Sequence, residues 1–186
     1  MRIVDLSEHD RPSIDQAAAL LLDGFAETGS ASWHTLEEAV AAVRESLQEG
    51  CLSRIAVENS GQVLGWIAGS PRYGGHAWEL HPLVVRRDCR GRGIGRALVG
   101  DLEEQIGRRG GLTLYLGTDD ENGRTSLGGV DLYPDVLGAL SAIRNLRQHP
   151  VEFYQKMGFV IVGALPDANG FGKPDIFMAK RLTNGT

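Results

Sequence analysis

Cysteine is scarce: the 186-residue chain has only Cys51 and Cys89, far apart and with no CxxC or Cys/His spacing. That excludes a disulfide framework and offers no zinc pattern, so both read as ordinary thiols and no metal is expected. No apolar run approaches the roughly 18 residues of a membrane span. The amino terminus also lacks the basic-then-apolar order of a secretory signal, so a cytoplasmic protein with no membrane partner is expected. An excess of positive charge is missing too. The formal charge of -5 argues against a nucleic-acid partner and suits a cationic one. Repeats, low-complexity tracts and long linkers are absent, which points to a single domain over residues 1–186.

What is present is a regular alternation of apolar patterns. A strand is expected at Ile3 to Leu6, followed by a helix that Pro12 helps to start and that Ile14, Ala18, Leu21, Leu22 and Phe25 carry at helical spacing. Ser30 to Trp33 reads as a loop. Thr35 and Glu38 form a candidate capping box for a second helix bearing Leu36, Val40, Val43 and Leu47. Arg54 to Glu58 and Gln62 to Ser70 read as a hairpin turning through Asn59, Ser60 and Gly61, with a further strand from Ala77 to Arg86. Ile94, Ala97, Leu98, Leu102 and Ile106 mark a helix that stops near Gly110 and Gly111. Then come a strand at Thr113 to Thr118, a helix at Pro134 to Leu146, a short helix from Pro150 to Gly158, and strands at Phe159 to Leu165 and Asp175 to Lys180. The class is α/β or α+β.

The strongest chemical signal is Leu83-Val84-Val85 running into Arg90-Gly91-Arg92-Gly93-Ile94-Gly95-Arg96, a strand that passes through glycines directly into a helix. Glycines allow a tight turn and close backbone approach, while the first helical N–H groups and the helix dipole favour phosphate oxygens. Arg86, Arg87, Arg90, Arg92 and Arg96 concentrate positive charge there in an otherwise acidic chain. The turn lacks the Lys-Ser/Thr ending of a nucleotide P-loop, and it lacks the early position and downstream acid of a dinucleotide fingerprint.

Arg90-x-x-Gly93-x-Gly95 resembles the acetyl-CoA motif of the GNAT acetyltransferases, and Phe153-Tyr154-Gln155-Lys156-Met157-Gly158-Phe159 resembles that family's second motif near the carboxyl end. The resemblance implies a mostly antiparallel mixed sheet with a splayed strand pair, flanked by helices. It further implies that residues 90 to 96 hold the cofactor diphosphate, that Leu83, Val84 and Val85 meet the pantetheine arm, and that Tyr154 gives a proton to the departing thiolate. Arg147 stands where many members carry an asparagine.

A narrower resemblance, to aminoglycoside 6'-N-acetyltransferases, is carried by Trp78-Glu79-Leu80-His81-Pro82-Leu83-Val84-Val85, Leu116-Gly117-Thr118-Asp119-Asp120-Glu121, Asn145 to Pro150, Pro166 to Gly170 and Lys173-Pro174-Asp175-Ile176. It implies a polycationic aminoglycoside substrate, an acetyl-CoA donor and a homodimer. A polyammonium sugar calls for carboxylates with aromatic faces nearby. Glu79, Asp119, Asp120, Glu121 and Asp175 supply the charge, and Trp33, Tyr73 and Trp78 are the candidate faces. A sugar amine near the lysine pKa is protonated at neutral pH and needs a base before it can attack a thioester. Glu79 and His81 alternate along one strand, so either is placed to accept that proton, directly or through water, with Glu79 preferred. Another amine (a polyamine, a peptide amino terminus or a protein lysine) and a non-catalytic acyl-CoA sensor are the competing readings.

Overall fold

The computed structural model describes residues 1–26 and 33–182. Of the expected loop from Ser30 to Trp33, residues 30–32 therefore lie outside the described residues and Trp33 just inside them. The chain divides into two compact units: Met1–Leu114 with the chain end from Leu182, and Tyr115–Arg181.

In the first unit, β1 (Arg2–Asp5), β2 (Leu52–Val57), β3 (Val63–Arg72) and β4 (Ala77–Val85) lie side by side in that order, each antiparallel to the next. α1 (Arg11–Ala26) and α2 (Leu36–Glu45) cover one face, where Ile14, Leu21, Ala39 and Val43 pack with Ile55, Trp66 and Ala68. α3 (Ile94–Arg108) covers the other. Alternation along β3 explains this split: Trp66 and Ala68 point to α1 and α2, while Gly65 and Gly69 meet α3. A Cβ on Gly65 would sit 3.0 Å from a Leu98 methyl, and one on Gly69 would sit 3.1 Å from Leu102, so small residues let the helix approach the strand.

Local signals hold these elements in place. Asp10 accepts from the Ser13 N–H at 3.2 Å and caps α1, one turn ahead of its apolar stripe. The Thr35–Glu38 capping box is complete, with each side chain accepting from the other's backbone N–H at 3.2 Å. Gly61, at φ 85°, turns the β2–β3 hairpin. Trp66 is fully buried and still satisfies its indole N–H by donating to Ser53 Oγ at 2.9 Å.

The second unit takes in β5 (Thr113–Asp119) from Tyr115 onward, α4 (Val136–Ser141), α5 (Val151–Lys156), β6 (Val160–Leu165) and β7 (Asp175–Arg181), with the strands ordered β5-β7-β6 and the last two antiparallel. The helix expected over Pro134 to Leu146 is cut short here. After Ser141 the chain turns back, and the N–H groups of Leu146 and Arg147 both donate to Arg124 O while Asn145 bridges to Thr125. Backbone bonds to a distant loop thus replace the helical ones.

Candidate active site

Five consecutive features of the first unit build the anion cradle. β4 ends at Val85, a single 3-10 turn covers Arg87–Cys89, Gly91 and Gly93 take φ of 76° and 82°, and Gly93 opens α3. The left-handed region favours glycine at both positions, and a Cβ at either would meet open space rather than protein. Ala97 N–H donates to Gly93 O, which makes it the first helical bond and leaves the amides of Ile94, Gly95 and Arg96 ahead of it. Those amides and the dipole of a 15-residue helix fit a diphosphate. Arg92 and Arg96 are exposed beside them, and Arg90 is exposed with its Nε donating to Val85 O at 3.2 Å. Arg86 behaves differently from its neighbours: it clamps Asp88 through Nε at 2.7 Å and Nη2 at 3.0 Å. A cavity of about 1030 Å³ opens alongside, lined by Val85, Arg86, Arg87 and Arg90 and by Asp23 and Gly24 of α1.

A second cavity of about 330 Å³, also within the first unit, gathers Trp33, Glu79 and His81. Strand alternation puts Glu79 and His81 on the α1/α2 face. The register of β3 against β4 then shifts between Ile67 and Gly69, so that Leu83 pairs with Ile67 and Val84 with Trp66. Val84 accordingly turns into the core, 5% exposed, against Gly24 of α1. Trp33 is held edge-on by Phe25 at 4.6 Å between ring centres and lies 5.7 Å from the His81 ring, inclined by 32°. The expected sugar face and the two candidate bases thus meet in one place. Cys51, Ser70, Arg72 and Glu45 line the same cavity.

The other two expected aromatic faces are elsewhere. Trp78 is 3% exposed, donates its indole N–H to Gly75 O at 3.0 Å, and has the Arg109 guanidinium 5.8 Å above its ring. It is a core residue beneath Gly111, and that packing overturns its expected substrate role. Tyr73 projects from the β3–β4 turn at φ 50° and is 81% exposed, outside the cavity lining.

In the second unit, Asp119 and Asp175 stand at neighbouring ends of β5 and β7. Asp119 is exposed and accepts from the Asn169 amide at 2.5 Å. The Asp175 carboxylate lies over Gly117, where a Cβ would come 2.3 Å from Oδ2, so the glycine makes room for it. Asp120 was expected to face substrate, and it does not. It is fully buried, and its oxygens accept from Arg124 N at 2.6 Å, Thr125 N at 2.8 Å and Thr125 Oγ1 at 2.7 Å. Its charge is spent on anchoring a loop. Glu121, half-buried, follows it. Tyr154 is buried between Phe153 and Phe159, and that burial pushes its phenol above the ordinary tyrosine range.

Two residues that the sequence reading passed over matter here. His149 is 2% exposed; its Nδ1 accepts from Val151 N–H at 3.2 Å, so Nε2 carries the proton toward Asp119 O at 3.0 Å. Burial lowers its pKa, which keeps it neutral. Arg72 donates to Glu79 across the turn at Tyr73–Gly75. Among the described residues no cluster of His, Cys, Asp or Glu is arranged to hold a metal, and no helix is long and apolar enough to cross a membrane.

A strand that feeds a glycine-opened helix suits a ligand carrying a diphosphate; the chain belongs to the acetyltransferase (GNAT) family, whose sequence model matches residues 18–159. Among solved structures it is similar to an aminoglycoside 6'-N-acetyltransferase complexed with coenzyme A, at 39% identity and a TM-score of 0.89, covering 100% of this chain and 99% of that one. The aminoglycoside 6'-N-acetyltransferase from Enterococcus faecium matches at 39% identity and a TM-score of 0.87, with 100% and 99% covered. An aminoglycoside 6'-acetyltransferase of type Ii matches at 34% and 0.73 over the full length of both chains. No curated protein matches the chain.

Proposed function

We propose that this protein transfers the acetyl group of acetyl-CoA to the 6'-amino group of aminoglycoside antibiotics, by direct attack in a ternary complex, and so confers resistance to them. The observation that carries the reading is the union of Glu79, His81 and Trp33 in one cavity on the strand that leads into the anion cradle. Support comes also from the full-length similarity to proteins of that activity.

In this reading the amides of Ile94, Gly95 and Arg96, with Gly91 and Gly93 clearing the way and Arg90, Arg92 and Arg96 adding charge, hold the diphosphate of the donor. Bound acetyl-CoA supplies an activated acetyl thioester. Leu83, Val84 and Val85 offer strand backbone to the pantetheine arm, and an N–H at the Val84–Val85 end faces the negative charge that develops on the carbonyl oxygen. Glu79 takes a proton from the substrate ammonium, directly or through water, and His81 adjoins it as second acceptor or positioning group. Trp33 covers a sugar ring, while Asp119, Glu121 and Asp175 hold further ammonium groups. Tyr154, placed by its match to the family's second motif, gives its proton to the departing thiolate; a tyrosine holds that proton throughout the neutral range. Neither cysteine carries the acyl group. The two units act as one acetyltransferase domain, working as a homodimer in the cytoplasm.

The deciding experiment is a coupled thiol-release assay on purified protein with tobramycin, kanamycin, an aminoglycoside bearing a hydroxyl at the 6' position, spermidine and peptides, followed by mapping of the acetylated nitrogen. The reading requires turnover of the first two at the 6' nitrogen. Efficient acetylation of spermidine or peptides with the antibiotics untouched would replace it with the polyamine or peptide alternative.

A further inference from the structure

The carboxylate assigned to meet the substrate's amine already has a cation seated on it. Along the β3–β4 ladder Ser70 pairs with Glu79 and Arg72 with Ala77, so Arg72 and Glu79 are diagonal neighbours on one face, within reach of long side chains. The Arg72 guanidinium closes that distance with two N–H groups on the same oxygen: Nε and Nη2 lie 3.1 and 2.8 Å from Glu79 Oε2. Both side chains line the 330 Å³ cavity, together with His81 and Glu45. The arginine side chain is half exposed at 50%, and that of Glu79 is 32% exposed.

These facts define a competition. A guanidinium and a substrate ammonium are like charges seeking the same carboxylate, and they repel at contact distance. Exposed pairs of this kind add little net stability, so the guanidinium can be exchanged for another cation without unfolding the strand pair. Its root at the last residue of β3, just before the turn at Tyr73, Gly74 and Gly75, leaves the arm room to swing toward solvent.

We propose that Arg72 is a resident cation at the amine seat, displaced from Glu79 when a cationic substrate binds, and thus a specificity residue that sets how tightly amines are held. The proposal rests on Glu79 being the residue that meets the amine. Arg72 touches no reacting atom; it acts through its hold on Glu79.

The test is titration of the full-length protein with tobramycin and, separately, spermidine, followed calorimetrically in wild type, Arg72→Gln, Arg72→Lys, Glu79→Gln and the Arg72→Gln/Glu79→Gln double variant. Arg72→Gln is expected to lower the amine Kd by about 5- to 10-fold, the scale of one partly screened charge contact. Arg72→Lys should stay within about twofold of wild type because it keeps the charge, and the gain should vanish when Glu79 is already glutamine. In turnover the change should fall on KM for the amine and leave KM for acetyl-CoA alone. An unchanged or weaker amine affinity in Arg72→Gln, a gain that persists without Glu79, or no binding of either amine to any variant would overturn the proposal. If Arg72→Gln melts early, Arg72→Met, which preserves the aliphatic packing, answers the same question. Failure of wild type to acetylate tobramycin would sink the proposed substrate instead, and the spermidine titrations would still decide the role of Arg72.

Discussion

The two units put their buried polar side chains to different uses. In the first, most large buried groups are apolar (Ile14, Leu21, Ile55, Trp66, Leu98, Leu102), the buried Arg54 is paired with the side chains of Asp101 and Asp5, and Glu79, His81 and Arg72 line a cavity at the surface. In the second, a carboxylate and an imidazole are buried, Asp120 at 0% and His149 at 2% exposure, and they organise a long loop by bonding to backbone. The first unit is held mainly by apolar periodicity and matches its buried charge side chain to side chain, which leaves Glu79 facing a cavity. The other spends a carboxylate on its own architecture, because the segment from Asp120 to Pro150 has little helix or strand to satisfy its N–H groups.

The sharpest way to break this comparison is to exchange what the two carboxylates are asked to do. Glu79→Gln should cost about 10²- to 10⁴-fold in kcat/KM, the usual range for a general base, with the melting temperature nearly unchanged. Loss of the fold in that variant would make Glu79 structural. Asp120→Ala should do the reverse: it strands three donors in a buried loop and should destabilise the protein by about 3 kcal/mol in urea melts, with hydrogen exchange accelerating first from residue 120 to 149. If its stability is unchanged, the loop has other anchors.

Tyr154→Phe keeps the aromatic packing and removes only the hydroxyl. A roughly 10- to 100-fold fall in turnover is expected, equivalent to about 1.4 to 2.7 kcal/mol, with acetyl-CoA affinity unaltered. Equal turnover would remove its acid role. The smallest effect concerns His149. Its pKa is lowered in the folded protein, chiefly by burial, so the unfolded chain takes up the proton first as pH falls through about 6.5. Protonation would also turn Nδ1, which accepts from Val151, into a donor facing a donor. Stability is therefore complete above that pH and should decline as the pH falls from there toward 5.5. His149→Asn should flatten this dependence in melts from pH 7.5 to 5.5, and a slope equal to wild type would place the acid sensitivity elsewhere.

What the sequence disclosed follows the same division. α1, the capped α2, the β2–β3 hairpin and the glycine-opened α3 rest on spacing, caps and turns that span only a few residues, so each was readable directly. The gathering of Trp33 with Glu79 and His81 was readable only in part: alternation along β4 puts the last two on one face, but a Phe25 ring fixes the first. Trp78 and Asp120 misled because composition cannot tell a substrate-facing aromatic or acid from one consumed by packing or by backbone donors. The overlong helix before Leu146 failed for a related reason, since its last residues bond to Arg124 and Thr125, some twenty positions away. Arg72 escaped notice because its meaning depends on the register of β3 against β4, not on its own neighbours.

The most direct trial of the central claim is a crystal structure of the protein with coenzyme A bound. The account predicts the diphosphate on the backbone amides from Gly91 to Arg96, with the sulfur directed to the cavity where Glu79 and His81 stand. A diphosphate bound away from the amino end of α3, or a sulfur remote from Glu79, would contradict it.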